Sequence, residues 1–268
     1  MRRGKGITIY FYLFMLVIFL PLLLLLVFSF NDSFSAGFPW RGFTLRWWET
    51  FFADPVALTT VKNSFVVAVT VAVVATLMGL GVAFPLVRRV FRGQNVLLSA
   101  LLVPIAVPYL LIGISLFSLL RVELGLELSL FTLAIGHILV ALPYSSLVLM
   151  ARLIGFDRSL EEAAQDLGAT GFTTFRKITF PLIKPGIYVS MFLTFTVSLE
   201  DAVIATFLGG SDQTVPMFVF GRLRRWEGLP MAMALSSFMV LIALVFACLF
   251  LIRAVRPRLP APPPRGRG

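Results

Sequence analysis

The sequence predicts an all-α integral membrane fold of six transmembrane helices, on three observations. Hydrophobic residues make up 59% of the 268 and mean hydropathy is +0.95, above the about 45–50% apolar content of soluble domains. Six apolar runs, near 7–29, 64–87, 96–120, 129–150, 185–208 and 231–252, each reach the roughly 20 residues that carry a helix across a bilayer. Lys and Arg gather in alternate loops: with a cytoplasmic N-terminus, that side holds 16 of the 23 basic residues. Such a bias puts both termini and the loop at 151–181 in the cytoplasm. Little sequence is left between the runs, so one membrane domain over 1–256 is expected. A Pro- and Arg-rich cytoplasmic tail over 257–268 follows it.

Arg2-Arg3 ahead of the first run is how a signal peptide begins. The run exceeds the about 7–15 residues of a signal's apolar region, however, and reads as an uncleaved helix. Trp40, Trp47 and Trp48 lie between the first two runs on the outer side, suited either to an aromatic belt or to an extracytoplasmic partner. Pro104 and Pro108 interrupt the third run, with Gly113 beyond; the break serves either kinked packing or a gate. The lone His137 sits among apolar residues of the fourth run and reads as a satisfied polar residue between helices rather than a metal ligand.

Glu200 and Asp201 in the fifth run are the only acids within a span. Buried charge in a bilayer is costly and marks function by default. Counted from Pro185 at about 1.5 Å per residue, the pair falls in the outer half of the membrane. Adjacent helical residues point about 100° apart, so the two acids cannot face one spot. Either one lines a pathway, or the pair is structural, bonded for instance to Arg222 or Arg224. The single Cys248 lies in the last run and excludes an internal disulfide. There is no Gly-x-x-x-x-Gly-Lys-Ser/Thr, so the chain has no P-loop of its own, and no metal set or nucleophile–base set is apparent. The net charge of +10 is spread over several loops and reads as a topology signal rather than a nucleic-acid surface.

A polar island at 151–181 separates the fourth and fifth runs. Leu160, Ala163, Ala164 and Leu167 recur at i, i+3, i+4 and i+7, giving one narrow apolar helix face, with Glu161, Glu162, Gln165 and Asp166 opposite. Ser159 and Glu162 have capping-box spacing, and Gly168 stops the helix. A second short helix is expected over Phe172, Phe175 and Ile178, ended by Pro181 and Pro185.

Glu162-Ala163-Ala164, three residues, Gly168, nine residues and Ile178-Thr179-Phe180-Pro181 resemble the EAA loop of ABC importer permeases, with Phe180 where that family prefers Leu. The resemblance implies a type I ABC importer transmembrane domain in a bacterial inner membrane. It implies that Ser159, Glu161, Glu162, Ala163, Ala164, Gly168, Ile178 and Pro181 serve a coupling helix that docks on a separate ATPase. ATP and Mg then belong to two partner ATPase subunits, beside a second, non-identical permease subunit and a soluble substrate-binding protein. Ser198-Leu199-Glu200-Asp201-Ala202 resembles a segment of spermidine/putrescine-type permeases, C-type subunit, with Glu200 in place of the usual first Asp. Phe156 to Ala164, Arg225 to Pro230 and Ala234-Leu235-Ser236 are similar to the same subfamily, although Met233 stands where it has Asn. The resemblance implies a polyamine cargo, with Asp201, the retained Asp, in the pathway and Glu200 in structural pairing. Permeases for ferric iron, thiamine or phosphonate share the loop and remain alternatives. A proton-coupled secondary transporter using Glu200 and Asp201 is the rival from another class.

Overall fold

A computed structural model describes residues 3–34, 37–223 and 228–254. The tail at 257–268, Arg224 and the stretch Arg225-Trp226-Glu227 lie outside the described residues. In chain order the helices are α1 (Arg3–Phe28), α2 (Arg46–Ala53), α3 (Pro55–Arg88), α4 (Gln94–Ala106) and α5 (Tyr109–Phe117), which runs into a π turn (Ser118–Glu123). Then come α6 (Leu130–Ile154), α7 (Ser159–Asp166) and α8 (Gly171–Thr174), a second π turn (Phe175–Thr179), α9 (Phe180–Glu200), α10 (Val203–Leu208), α11 (Val215–Leu223) and α12 (Leu229–Ala254). Among the described residues the only β pairing is an isolated bridge, Asn31 with Phe43.

These residues form two units, one from the segments up to Trp48 and from Leu229 onward, the other from Glu49–Gly228. In the first, α1 packs on α12, and Ser237 Oγ donates to the Leu25 carbonyl at 3.4 Å. The loop after α1 folds on itself around buried Asn31. Asn31 Oδ1 accepts from the Arg41 N–H at 2.9 Å and its carbonyl from Trp47 Nε1 at 2.9 Å. Phe30 stacks between Phe43 and Trp48, and the Arg46 guanidinium covers Trp47 at 4.1 Å. Trp47 is thus interior to the loop, while Trp40 stays exposed; of the three Trp residues, Trp40 retains the outward position suited to a belt.

The second unit is built on α3, α6 and α9, which pack against one another. Their close approach depends on small residues and hydroxyls. A Cβ at Gly79 would come within 2.1 Å of Ser145 Oγ. Ser190 Oγ donates to Ser145 Oγ at 2.8 Å and lies 3.1 Å from Thr76 Oγ1, so one hydroxyl chain joins all three helices. Such bonds hold helices together where lipid offers no hydrophobic driving force.

Two helices differ from expectation, and a third breaks where its prolines suggest. The second span begins at Pro55, not near 64: Asp54 accepts from the N–H groups of Val56 and Ala57 at 2.8 and 3.2 Å, and Pro55 suits the first turn. The third run is not one straight helix. Val107 is extended, as a residue before proline tends to be, and α4 and α5 meet at Pro108 with a bend of 102°. Pro104, by contrast, stays inside α4. The bent pair still crosses from end to end. Gln94 at its start bonds the Leu86 carbonyl near the close of α3, while Leu128 beyond its end sits against Gly210, and Gln213 beside Asn63 near the opening of α3. With it counted as one span, the described residues hold six helices long and apolar enough to cross a membrane.

The fifth helix is the second departure. Pro181 and Pro185 do not end the short helix ahead of it; Gly171–Glu200 is continuously helical. The π turn widens the backbone just before Pro181, with the Phe180 N–H bonding Phe175 O, and Pro181 falls in the first turn of α9, where its missing N–H is tolerated. The helix then stops at Glu200 rather than near 208, and α10 begins after a break at Asp201-Ala202.

Candidate coupling site and intramembrane acid pair

The loop after α6 opens with Asp157, whose Oδ1 accepts from the Ser159 N–H at 2.9 Å. That bond holds the Asp157 carboxyl below the ordinary carboxylate range. Asp157, not Ser159, therefore caps α7, and the expected Ser159–Glu162 capping box is replaced. Ser159 is the first helical residue, and Glu162 pairs with Arg158 at 3.1 Å in an exposed i,i+4 bridge, a contact of little energetic weight. At the other end Gly168 has φ +84°. Its N–H bonds Gln165 O at 2.8 Å and the Ala169 N–H bonds Ala164 O at 3.0 Å, the paired bonds of a Schellman stop.

The apolar face of α7 points outward. Leu160 is 48% exposed, Leu167 89% and Phe172 on α8 74%. Ala163 is exposed, and an open cleft of about 320 Å³ between α7 and the second helix is lined by Ala164, Leu167, Gly168, Thr173, Lys177 and Ile178. Small Ala side chains beside protruding Leu and Phe make a surface that another molecule can cover. Pro181 is exposed at the base of α9. Thus Ala164, Gly168 and Ile178 meet at the cleft, Glu162 and Ser159 stay on the solvent side, and Glu161 does neither.

Glu161 departs from the sequence reading, which grouped it with Glu162, Gln165 and Asp166 opposite the apolar face. It is the one buried residue of α7. Its Oε1 accepts from Thr179 Oγ1 at 2.5 Å and its Oε2 lies 3.1 Å from Arg88 Nε. Thr179 lies inside the motif stretch, but nothing in the sequence pairs it or Arg88 with Glu161, because they meet only through the tertiary fold.

The acid pair is also divided the other way round from expectation. Asp201 is 7% exposed and Glu200 is exposed. Asp201 Oδ1 accepts from the Val203 N–H at 3.2 Å and Oδ2 from the Ile204 N–H at 3.0 Å, so it caps α10 across the break. His137 on α6 reaches the same carboxylate, Nε2 to Oδ2 at 3.0 Å, and its Nδ1 lies 2.8 Å from Ser198 Oγ. A ring protonated at Nε2 satisfies both, donating to Asp201 and accepting from Ser198. His137 is thus a satisfied polar residue, as its surroundings suggested, and Asp201 is its structural partner. Arg222 does not serve the pair; it bonds Asp54 Oδ2 at 3.0 Å.

Residues 75–259 match the family described as binding-protein-dependent transport system inner membrane component. The spermidine/putrescine transport system permease protein PotC of Haemophilus influenzae is 32% identical over 222 residues, 82% of this chain and 85% of that protein. The putrescine transport system permease protein PotI of Escherichia coli is 36% identical over 205 residues, covering 74% of this chain and 73% of that one. A subunit of a bacterial ABC transporter involved in the import of the acidic polysaccharide alginate has the same fold, with TM-score 0.72 and 17% identity over 97% of this chain and 100% of that one. Membership sets aside the proton-coupled alternative. The chain belongs to the binding-protein-dependent transport system inner membrane components and is the permease subunit of an ABC importer, a transport component rather than an enzyme.

Proposed function

We propose that this permease passes a polyamine, and that the exposed carboxylate of Glu200 at the break between α9 and α10 faces the cargo. The relationship to PotC and PotI supports the substrate class, and the exposed Glu200 is the observation that carries its recognition. A polycationic amine is drawn to a fixed carboxylate, by about 1 kcal/mol at 4 Å in water and about 4 kcal/mol near a protein surface. One exposed acid attracts such a cargo without trapping it. The outward face of α7 and its cleft dock on an ATPase, whose two copies hold ATP and Mg, while a second, non-identical permease completes the pathway. A soluble binding protein delivers the substrate, and closure of the ATPases moves α7 and, with it, the spans.

Reconstitution with those partners and radiolabelled putrescine or spermidine tests the reading. ATP-dependent uptake is expected, and Glu200→Gln should lower it about tenfold, within the range of one lost carboxylate–ammonium contact, with assembly intact. Uptake confined to an anionic solute, or full uptake by Glu200→Gln, would sink the cargo assignment.

We further place both termini and α7–α8 in the cytoplasm, which the basic-residue bias supports. Single cysteines at Val90, which is 99% exposed, and at exposed Glu127 are introduced with Cys248→Ala. In intact spheroplasts an impermeant thiol reagent should label position 127 and spare position 90. The opposite pattern reverses the orientation.

A further inference from the structure

Glu161 stands one residue ahead of the Glu-Ala-Ala motif, and its carboxylate is tied to two spans at once. Arg88 belongs to the last turn of α3, and Thr179 closes the π turn beneath α9. The Arg88 guanidinium also covers the Phe156 ring at 4.5 Å, and Phe156 packs with Ala83, Leu149, Leu153 and Ile183 where α3, α6 and α9 converge. The apolar residues of α7 face outward, so among its side chains Glu161 alone reaches into this convergence. A buried charge is retained only when it is paired, and here the partners lie on the elements that must move for transport.

The pairing is also built to persist through a tilt. Arg88 Nε sits 3.1 Å from the carboxylate without hydrogen-bond alignment, and its buried Nη2 makes no hydrogen bond. A guanidinium offers five N–H donors in one plane. The carboxylate can therefore slide along it and find a new donor while the charges stay in contact.

We propose that Glu161 is the latch that passes a displacement of α7 to α3 and α9, a positioning residue for coupling with Arg88 and Thr179 as the receiving groups. The proposal rests on the reading of the α7–α8 face as the ATPase docking surface. A residue needed only for folding would lower uptake and ATP hydrolysis together; a latch changes their ratio.

The test uses the complete transporter in proteoliposomes, with its ATPase, second permease and binding protein, and scores polyamine uptake per ATP hydrolysed. Glu161→Ala and the nearly isosteric Thr179→Val should keep the ATPase bound and its hydrolysis stimulated by binding protein. Uptake per ATP should fall about tenfold, within the range of coupling between distant sites. A wild-type ratio, whether both rates are normal or both are reduced, overturns the latch. If Glu161→Ala fails to assemble, the ratio in Thr179→Val decides alone. Leu167→Asp separates the two readings. If it releases the ATPase while the latch variants keep a normal ratio, only the latch fails. If the ATPase stays bound to Leu167→Asp, the docking reading fails and takes the latch with it.

Discussion

Gly168→Pro should abolish ATP-driven uptake while the chain remains inserted in the membrane. The residue has φ +84° and donates its N–H to Gln165 O at 2.8 Å. Proline fixes φ near −65° and has no N–H, so it violates both requirements, at about 3 kcal/mol or more. At about 1.4 kcal/mol per tenfold, the native turn would be populated roughly a hundredfold less. The Ala169–Ala164 bond that aims the second helix would go with it, and the cleft between α7 and α8 would lose its shape. Gly168→Ala is the informative control. A Cβ there meets nothing within 4 Å, so its only fault is the left-handed backbone, worth about 1–2 kcal/mol. Co-purification of the ATPase and uptake in vesicles should thus rank wild type, Ala, Pro. Normal uptake by the proline variant would remove the turn from the coupling pathway.

Asp201→Ala should be the most destabilising single change inside the membrane. It leaves His137 Nε2 without its partner and uncaps the N–H groups of Val203 and Ile204. Removing one member of a buried charged or hydrogen-bonded pair costs about 3–5 kcal/mol, against a total stability of about 5–15 kcal/mol. Asp201→Asn should be much milder, because an amide oxygen still caps a helix and still accepts from the ring. Thermal unfolding of the detergent-solubilised protein measures both, and a double-mutant cycle with His137→Ala should return a coupling of about 1–3 kcal/mol. If Asp201→Ala unfolds at the wild-type temperature and loses uptake only, Asp201 faces the pathway after all and the exposed Glu200 does not carry the cargo contact.

Those two sites also mark how far sequence reasoning reaches. The apolar runs, the alternate basic loops and the motif spacing through Ile178 and Pro181 report on local, one-dimensional properties, and they were enough for fold class and family. The first turns of α3, ahead of the apolar run, were missed because hydropathy reads lipid burial, and a helix capped by Asp54 need not begin where the apolar run does. Pro181 misled because a proline's effect depends on the turn before it, and a π turn has no sequence pattern of its own. The burial of Glu161 and of Asp201 was missed for a shared reason. Their neighbours in sequence, Glu162 and Glu200, carry the same charge, and partners that only the tertiary fold brings close, 18 to 73 positions away, decide which acid is buried.

The pairing of α1 with α12 has a consequence for biosynthesis. α1 leaves the ribosome well before its packing partner, which begins at Leu229, about 200 residues later. At about 5–20 residues per second, that is a wait of roughly 10–40 s. Through it, α1 has lipid for company in place of the helix it will finally pack against. It is also the most apolar of the long helices, with mean hydropathy 3.0 in its best window against 1.4 for the helix Gly171–Glu200, which enters beside spans already made. The composition of α1 thus answers a demand of timing: a helix obliged to wait must be at home in the bilayer unaccompanied.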